Sequence, residues 1–311
     1  MNVNYKKLFE ILNEKNISKN QLKEALDLSS ATIAKLSKNE PISMTTLVSI
    51  CNFLNCQPGD VMEIESQIDE NSLLFRLRDE KDIKLKGGIY HQTQIKFAYN
   101  SNHIEGSRLT EDQTRYIYET NTIGVDESPA NIDDIFETVN HFQCFDYILD
   151  CADDLLSEDV IKNIHKILKT NTSDSRKKWF NVGDYKGLRN VIGNGIPTVP
   201  PSKVKSEIEK LLYEYQKLRN VTFADIITFH HNFESIHPFQ DGNGRVGRLI
   251  IFKECLKHNI TPFIIDEEHK MFYYRGLKEF KSEPGYLIDT CLSAQDNYKK
   301  LLDYFEISYS D

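Results

Sequence analysis

The chain has 311 residues, 40% of them hydrophobic and 27% charged, with a formal net charge of −9. That length points to two domains; the acidic balance argues against nonspecific nucleic-acid binding by the whole chain, and the absence of any run of about 18 apolar residues argues against a membrane-spanning helix. Six scattered cysteines without a CxxC pair, and a first stretch, residues 1–7, lacking the apolar core of a signal peptide, read as buried thiols in a cytoplasmic protein.

Residues 1–66 carry short helical patterns. Leu8, Ile11 and Leu12 recur at helical spacing, and Ser18 caps a helix holding Leu22 and Ala25. A turn at Asp27-Leu28 leads into a helix over residues 29–38. A third amphipathic helix places Leu47, Val48, Ile50, Cys51 and Leu54 on its buried face and ends at Pro58-Gly59-Asp60. This arrangement resembles a helix-turn-helix domain of the phage-repressor type, and the resemblance implies DNA contact through residues 29–38 in a major groove. Against it stand seven lysines, no arginine and eight acidic residues in this segment. DNA affinity rests mainly on neutralised phosphates, and arginine is the commonest guanine reader. Protein docking or dimerisation is the other reading of this domain.

Residues 67–87 are polar and charge-dense and read as a linker passing into a partly helical segment. Beyond them helix signals dominate over residues 88–305. Thr110-Glu111-Asp112-Gln113 is a capping box, Ser128-Pro129 opens a long helix past Phe136, Phe142 and Ile148, and Ser157 starts another. Residues 191–199 are rich in Gly, Val, Ile and Pro and suit a short hairpin. The expected fold class is all-α, with a small helical domain followed by a helical core bearing one β flap.

The chemistry concentrates in His237-Pro238-Phe239-Gln240-Asp241-Gly242-Asn243-Gly244-Arg245-Val246-Gly247-Arg248. His237, before a proline, suits a general base held in a loop. Asp241 offers a hard carboxylate to Mg²⁺, which favours one or two carboxylates plus substrate phosphates. Gly242, Asn243 and Gly244 can turn backbone N–H groups toward an anion at a helix start. Arg245 and Arg248, at i and i+3, can both meet phosphate oxygens. His230, His231, Glu234 and His237 lack the HExxH spacing, so a zinc site is not expected.

This run resembles the signature HxFx(D/E)GNGRxxR of the Fic family, meeting every defined position. The resemblance covers about residues 88–300. It implies an enzyme that transfers AMP from ATP to a Ser, Thr or Tyr hydroxyl of a protein, itself among the targets, using Mg²⁺ or Mn²⁺. By position it assigns His237 as base and Asp241 as metal ligand. Gly242, Asn243, Gly244, Arg245 and Arg248 become phosphate contacts, and Tyr273 and Tyr274 the base pocket. Gly193, Asn194, Gly195 and Ile196 fall within a flap, residues 192–198, that covers the nucleotide and aligns the target by strand addition.

A second run, Ser101-Asn102-His103-Ile104-Glu105-Gly106, resembles the family's inhibitory motif (S/T)xxxE(G/N). The resemblance implies that Glu105, with Ser101, binds Arg248 and denies it to the γ-phosphate, and that the protein forms homodimers. Lys186 stands where the family more often has Arg, so a weaker salt bridge is expected there; Lys281 leaves the nucleobase open. Two alternatives accompany this reading: removal of AMP from a modified target through Glu105, and a nucleotide-sensing, DNA-binding transcriptional regulator.

Overall fold

Serine caps set the register of the N-terminal helices. In the computed structural model, which describes residues 2–65, 72–124, 129–192 and 195–309, Ser18 closes a capping box with Gln21 at the start of the helix Lys19–Ala25. Ser29 and Ser43 likewise accept a backbone N–H at the starts of the helices Ser30–Ser37 and Met44–Leu54, each cap contributing about 1 kcal/mol. The chain divides into two units, Met1–Asp69 and Glu70–Asp311.

The first unit runs β1 (Asn2–Asn4), α1 (Lys6–Glu14), α2 (Lys19–Ala25), α3 (Ser30–Ser37), α4 (Met44–Leu54), α5 (Pro58–Val61) and β2 (Glu63–Glu65). The two strands pair antiparallel with Val3 opposite Ile64. Leu8, Leu12, Leu22, Leu36, Ile50 and Leu54 form its core. Val48, expected on the buried face of α4, is instead 47% exposed. One residue beyond Leu47 it lies about 100° round the helix, outside the stripe of Leu47, Ile50, Cys51 and Leu54.

The second unit contains α6 (Leu73–Asp82), α7 (Ile89–Ile104), α8 (Glu111–Thr120), α9 (Ile132–Asp150), α10 (Glu158–Lys169), a 3₁₀ turn (Asp174–Arg176), β3 (Val191–Ile192), β4 (Ile196–Pro197), α11 (Pro201–Gln216), α12 (Phe223–Ile236), α13 (Asn243–Lys257), α14 (Glu267–Glu279) and α15 (Gly285–Tyr304). The fold is all-α apart from two small strand pairs. Thr110 and Gln113 form the capping box of α8. Ser128 lies outside the described residues, and α9 is capped by Asn131. Part of the stretch read as linker is α6, whose fully buried Leu77 joins the core of this unit.

Helix α13 is buried on nearly every face, and α7, α9, α10 and α12 pack against it. Val246, Leu249, Ile250 and Phe252 place it in the main core with Phe97, Phe145, Ile164 and Phe233. Its first turn carries the second half of the motif, so a fully buried element fixes the site. Helix α14 meets α15 at Gly276, where an added Cβ would come within 2.6 Å of the Leu287 Cα. The obstruction is backbone, which cannot rotate aside. Gly276→Ala is therefore expected to cost about 1–3 kcal/mol, read as a lowered midpoint of thermal unfolding; an unchanged midpoint would mean that the two helices separate freely. No described helix is long and apolar enough to cross a membrane.

Candidate active site

Two helix ends face each other at the site. Helix α12 stops at His237, whose φ of 52° is left-handed, a conformation costing a non-glycine residue about 1 kcal/mol or more. Lys186 supports it. Its buried ammonium donates to the carbonyls of His237 at 2.7 Å and Ile236 at 3.4 Å, and to Asn190 Oδ1 and Thr198 Oγ1 at 2.8 and 2.6 Å. The expected salt bridge at this position is thus absent among the described residues, and neutral oxygens replace it. Burial without a carboxylate lowers the Lys186 pKa to about 8. The same side chain joins the base of the β3–β4 hairpin to the loop that holds His237.

His165 fixes the next residues. Its ring stacks on Phe239 with centroids 3.9 Å apart. Its Nδ1 accepts from the Gly183 N–H at 3.0 Å and its Nε2 lies 3.2 Å from the Asp241 carbonyl. These partners assign the proton to Nε2. Asn243, read as a phosphate contact, has its amide engaged elsewhere: Oδ1 accepts from the Phe239 N–H at 2.8 Å and Nδ2 donates to the Phe239 carbonyl at 2.9 Å. That side chain shapes the loop, leaving its backbone amide to face an anion.

Gly242, at φ 81°, begins α13 with no side-chain cap. A glycine tolerates this left-handed turn at no steric cost, and the uncapped start leaves backbone donors and the positive end of the helix dipole for an anion. Helix α7 ends opposite. Ser107 donates to the Asn102 carbonyl and Gly106 to that of His103, a Schellman closure with Gly106 at φ 99°. Glu105 is thereby the last residue before the chain turns away. Its Oε1 lies 2.7 Å from Arg248 Nη2, and a side chain placed at Gly244 would collide with its carboxylate. Arg248 also donates from Nε to Ser101 Oγ at 3.0 Å and from Nη2 to the Ser101 carbonyl at 2.9 Å. Ser101 and Arg248 are buried. Burial alone would lower the Arg248 pKa, but the Glu105 charge outweighs it and the pKa is raised.

The remaining charges form a second cluster. Lys169 and Arg245 each bridge Glu137 and Asp241. Burial would raise the Asp241 pKa, but Arg245 and Lys169 hold it down at about 2. Its carboxylate, about half exposed, is ionised throughout the neutral range. Burial, reinforced by the Lys186 charge, lowers His237 to about 4, so its imidazole is neutral and able to accept a proton. Glu234, one turn before His237, has no hydrogen-bond partner at Oε1 among the described residues; burial raises its pKa to about 8 against the pull of Arg248.

Other expected positions are partly met. Val191 pairs with Pro197 and Ile192 with Ile196 in the hairpin, Ile196 is exposed, and Gly195 has φ 91°. Gly193 and Asn194 lie outside the described residues. The two tyrosines do not act as a pair. Tyr273 is a core residue, 1% exposed, within 2.6 Å of His230 Nε2 and beside Arg248. Tyr274, about 100° round α14, is 42% exposed and donates to the Ile104 carbonyl at 3.2 Å. Sequence reasoning missed Lys169, Glu137 and His165. Lys169 had one signal: it extends the apolar stripe of Val160, Ile161, Ile164 and Leu168 on α10.

Residues 155–254 match the model of the Fic/DOC family, and residues 7–67 that of the Cro/C1-type HTH DNA-binding domain. Among solved structures, the Fic-1 fragment aa134–508 from C. elegans is 16% identical, covering 96% of this chain and 97% of that one with a TM-score of 0.57. A Fic family protein from Desulfovibrio desulfuricans G20 is 19% identical, with coverages of 76% and 74% and a TM-score of 0.58. Residues 155–254 are a Fic/DOC domain. Curated relatives include "Protein adenylyltransferase Fic" of Culex quinquefasciatus, 28% identical over 60% of this chain, and that of Nematostella vectensis, 24% identical over 65%. The match spans 37% of the first and 48% of the second, so the chain covers less than half of either relative. The Fic/DOC domain holds His237, Asp241, Arg245, Arg248, Lys169 and Lys186. Glu105, Ser101 and Glu137 come from helices α7 and α9, outside the matched span but within the same structural unit.

Proposed function

We propose that the chain is an autoinhibited protein adenylyltransferase, taking ATP as donor and a Ser, Thr or Tyr hydroxyl of a protein, itself among the targets, as acceptor. The observation that carries this reading is the Glu105 carboxylate, which lies 2.7 Å from Arg248 and against Gly244 at the uncapped start of α13. One anion already sits where helix dipole, glycine backbone and arginine converge. The names of the curated relatives support AMP as the group transferred.

In the proposed reaction the target hydroxyl oxygen attacks the α-phosphorus of ATP. The proton passes to the neutral imidazole of His237, a P–O bond forms to the target, and the bond to pyrophosphate breaks. The amides from Gly242 to Gly244 and the Arg248 guanidinium stabilise negative charge as it shifts to the leaving group. Asp241 suits Mg²⁺, or Mn²⁺ in its place, as a single ionised carboxylate. No group of three or more metal-ligating side chains forms a cage among the described residues, and Mg²⁺ shared with substrate phosphates needs none. That ion would supply charge neutralisation at the phosphates. Arg245, already held by Glu137 and Asp241, orients this carboxylate. The β3–β4 hairpin offers backbone for a target strand, and residues 29–38 a DNA contact. A homodimer in the cytoplasm completes the reading.

Glu105→Gly frees Arg248 and removes the competing carboxylate. Incubation with labelled ATP is expected to label the Glu105→Gly protein, or a lysate treated with it, at least about tenfold more than wild type, the gain from about 1.4 kcal/mol of lost competition. Equal labelling would sink the autoinhibited reading.

A further inference from the structure

The Lys169 side chain is 3% exposed, and its ammonium reaches three carboxylates: Glu137 Oε1 at 2.6 Å, Asp241 Oδ2 at 2.7 Å and Asp174 Oδ2 at 2.9 Å. An ammonium has three donors, so none is left over. These oxygens come from α9, from the 3₁₀ turn and from the motif loop, and converge on one buried point. Among the described residues Arg245 adds the one other buried cation of the cluster, bonding Glu137 and, at 3.2 Å, the same Asp241 Oδ2. At the rim, Lys177 pairs with the other oxygen of Asp174 at 2.6 Å.

We propose that Lys169 is the resident counter-ion of the metal site, a positioning residue whose fixed charge holds Asp241 in place and keeps its carboxylate from collecting a divalent cation in the absence of nucleotide. The inference rests on the assignment of Asp241 as metal ligand. Asp241 reaches the substrate with one oxygen already shared by Lys169 and Arg245. A divalent cation then binds well only when phosphate oxygens add the charge that Lys169 has offset. Without Lys169, one fewer cation balances Asp241, Glu137 and Asp174. Metal affinity rises in the empty protein, and the dependence on nucleotide shrinks.

The test is Mn²⁺ binding to the full chain, followed by the electron paramagnetic resonance signal of free Mn²⁺, with and without a non-hydrolysable ATP analogue. Wild type is expected to bind Mn²⁺ weakly alone and more tightly with the analogue. Lys169→Met, or Lys169→Gln if the first does not fold, is expected to bind nucleotide-free Mn²⁺ about tenfold or more tightly, since a unit charge a few ångströms away has been removed. Adding Asp174→Asn to either restores the charge balance and is expected to return the affinity toward wild type, which a purely structural role would not do. Unchanged nucleotide-free affinity in the neutral variants, with the analogue still promoting binding, overturns the role of Lys169. If the analogue fails to promote Mn²⁺ binding even in wild type, the assignment of Asp241 itself falls.

Discussion

In the Glu105→Gly background, replacing His237 by Ala is expected to slow AMP transfer by about 10²–10⁴-fold, the usual contribution of a positioned general base. Nucleotide binding should be unaffected, because the phosphates are held by the α13 start and Arg248. The imidazole is neutral in the free protein: burial, with the Lys186 ammonium close by, puts its pKa at about 4. The pH dependence of kcat/KM reports the free enzyme, so His237 should add no inflexion near 6.5 and should lose its role as base only as pH falls through about 4. Labelled-ATP assays of the single and double variants across pH 5 to 8 measure both effects. A double variant as active as Glu105→Gly would place the base elsewhere.

What sequence could and could not show follows the range of the interactions. Residues 237–248 were legible because their chemistry is local: a helix end, a glycine turn and the next helix start lie within one short run. The pairing of Glu105 with Arg248 spans 143 positions, and only resemblance suggested it. Its physical reason, the Schellman turn at Gly106, needs the folded helix. The charge cluster was illegible because Glu137, Lys169, Asp174 and Asp241 come from separate elements, and a lone lysine on the apolar side of α10 hinted only at burial. Tyr273 and Tyr274 are neighbours in sequence but differ in burial, since adjacent residues on a helix face different ways. The strands of the first unit, Asn2–Asn4 and Glu63–Glu65, are too short for an alternating pattern to register.

Acid should unfold the second unit before the first. His141, His165 and His230 are fully buried, and burial lowers each to about 3 from 6.5. Between those values the unfolded chain binds more protons than the folded one, so stability falls as pH falls through this window. At about 1.4 kcal/mol per unit, each costs a few kcal/mol by pH 4.5. Glu234 works in the opposite direction: its folded pKa of about 8 exceeds the ordinary 4.5, so acidification over that interval favours the folded state and offsets about one histidine. The other two, together with His237 at about 4, are unbalanced, a net loss of several kcal/mol against the 5–15 kcal/mol typical of whole domains. Asp241, held at about 2, adds its own loss as pH falls below 3.8. Residues 1–69 contain no histidine, so the first unit lacks this penalty. Circular dichroism should therefore show a cooperative loss of most helix between about pH 5 and 4, with a smaller helical signal surviving below it. His141 makes no hydrogen bond through either ring nitrogen among the described residues and packs edge-on against Phe97. His141→Phe keeps an aromatic ring there without a proton to bind, and should move the midpoint to lower pH. A midpoint that stays fixed in this variant would show that histidine burial does not drive the transition.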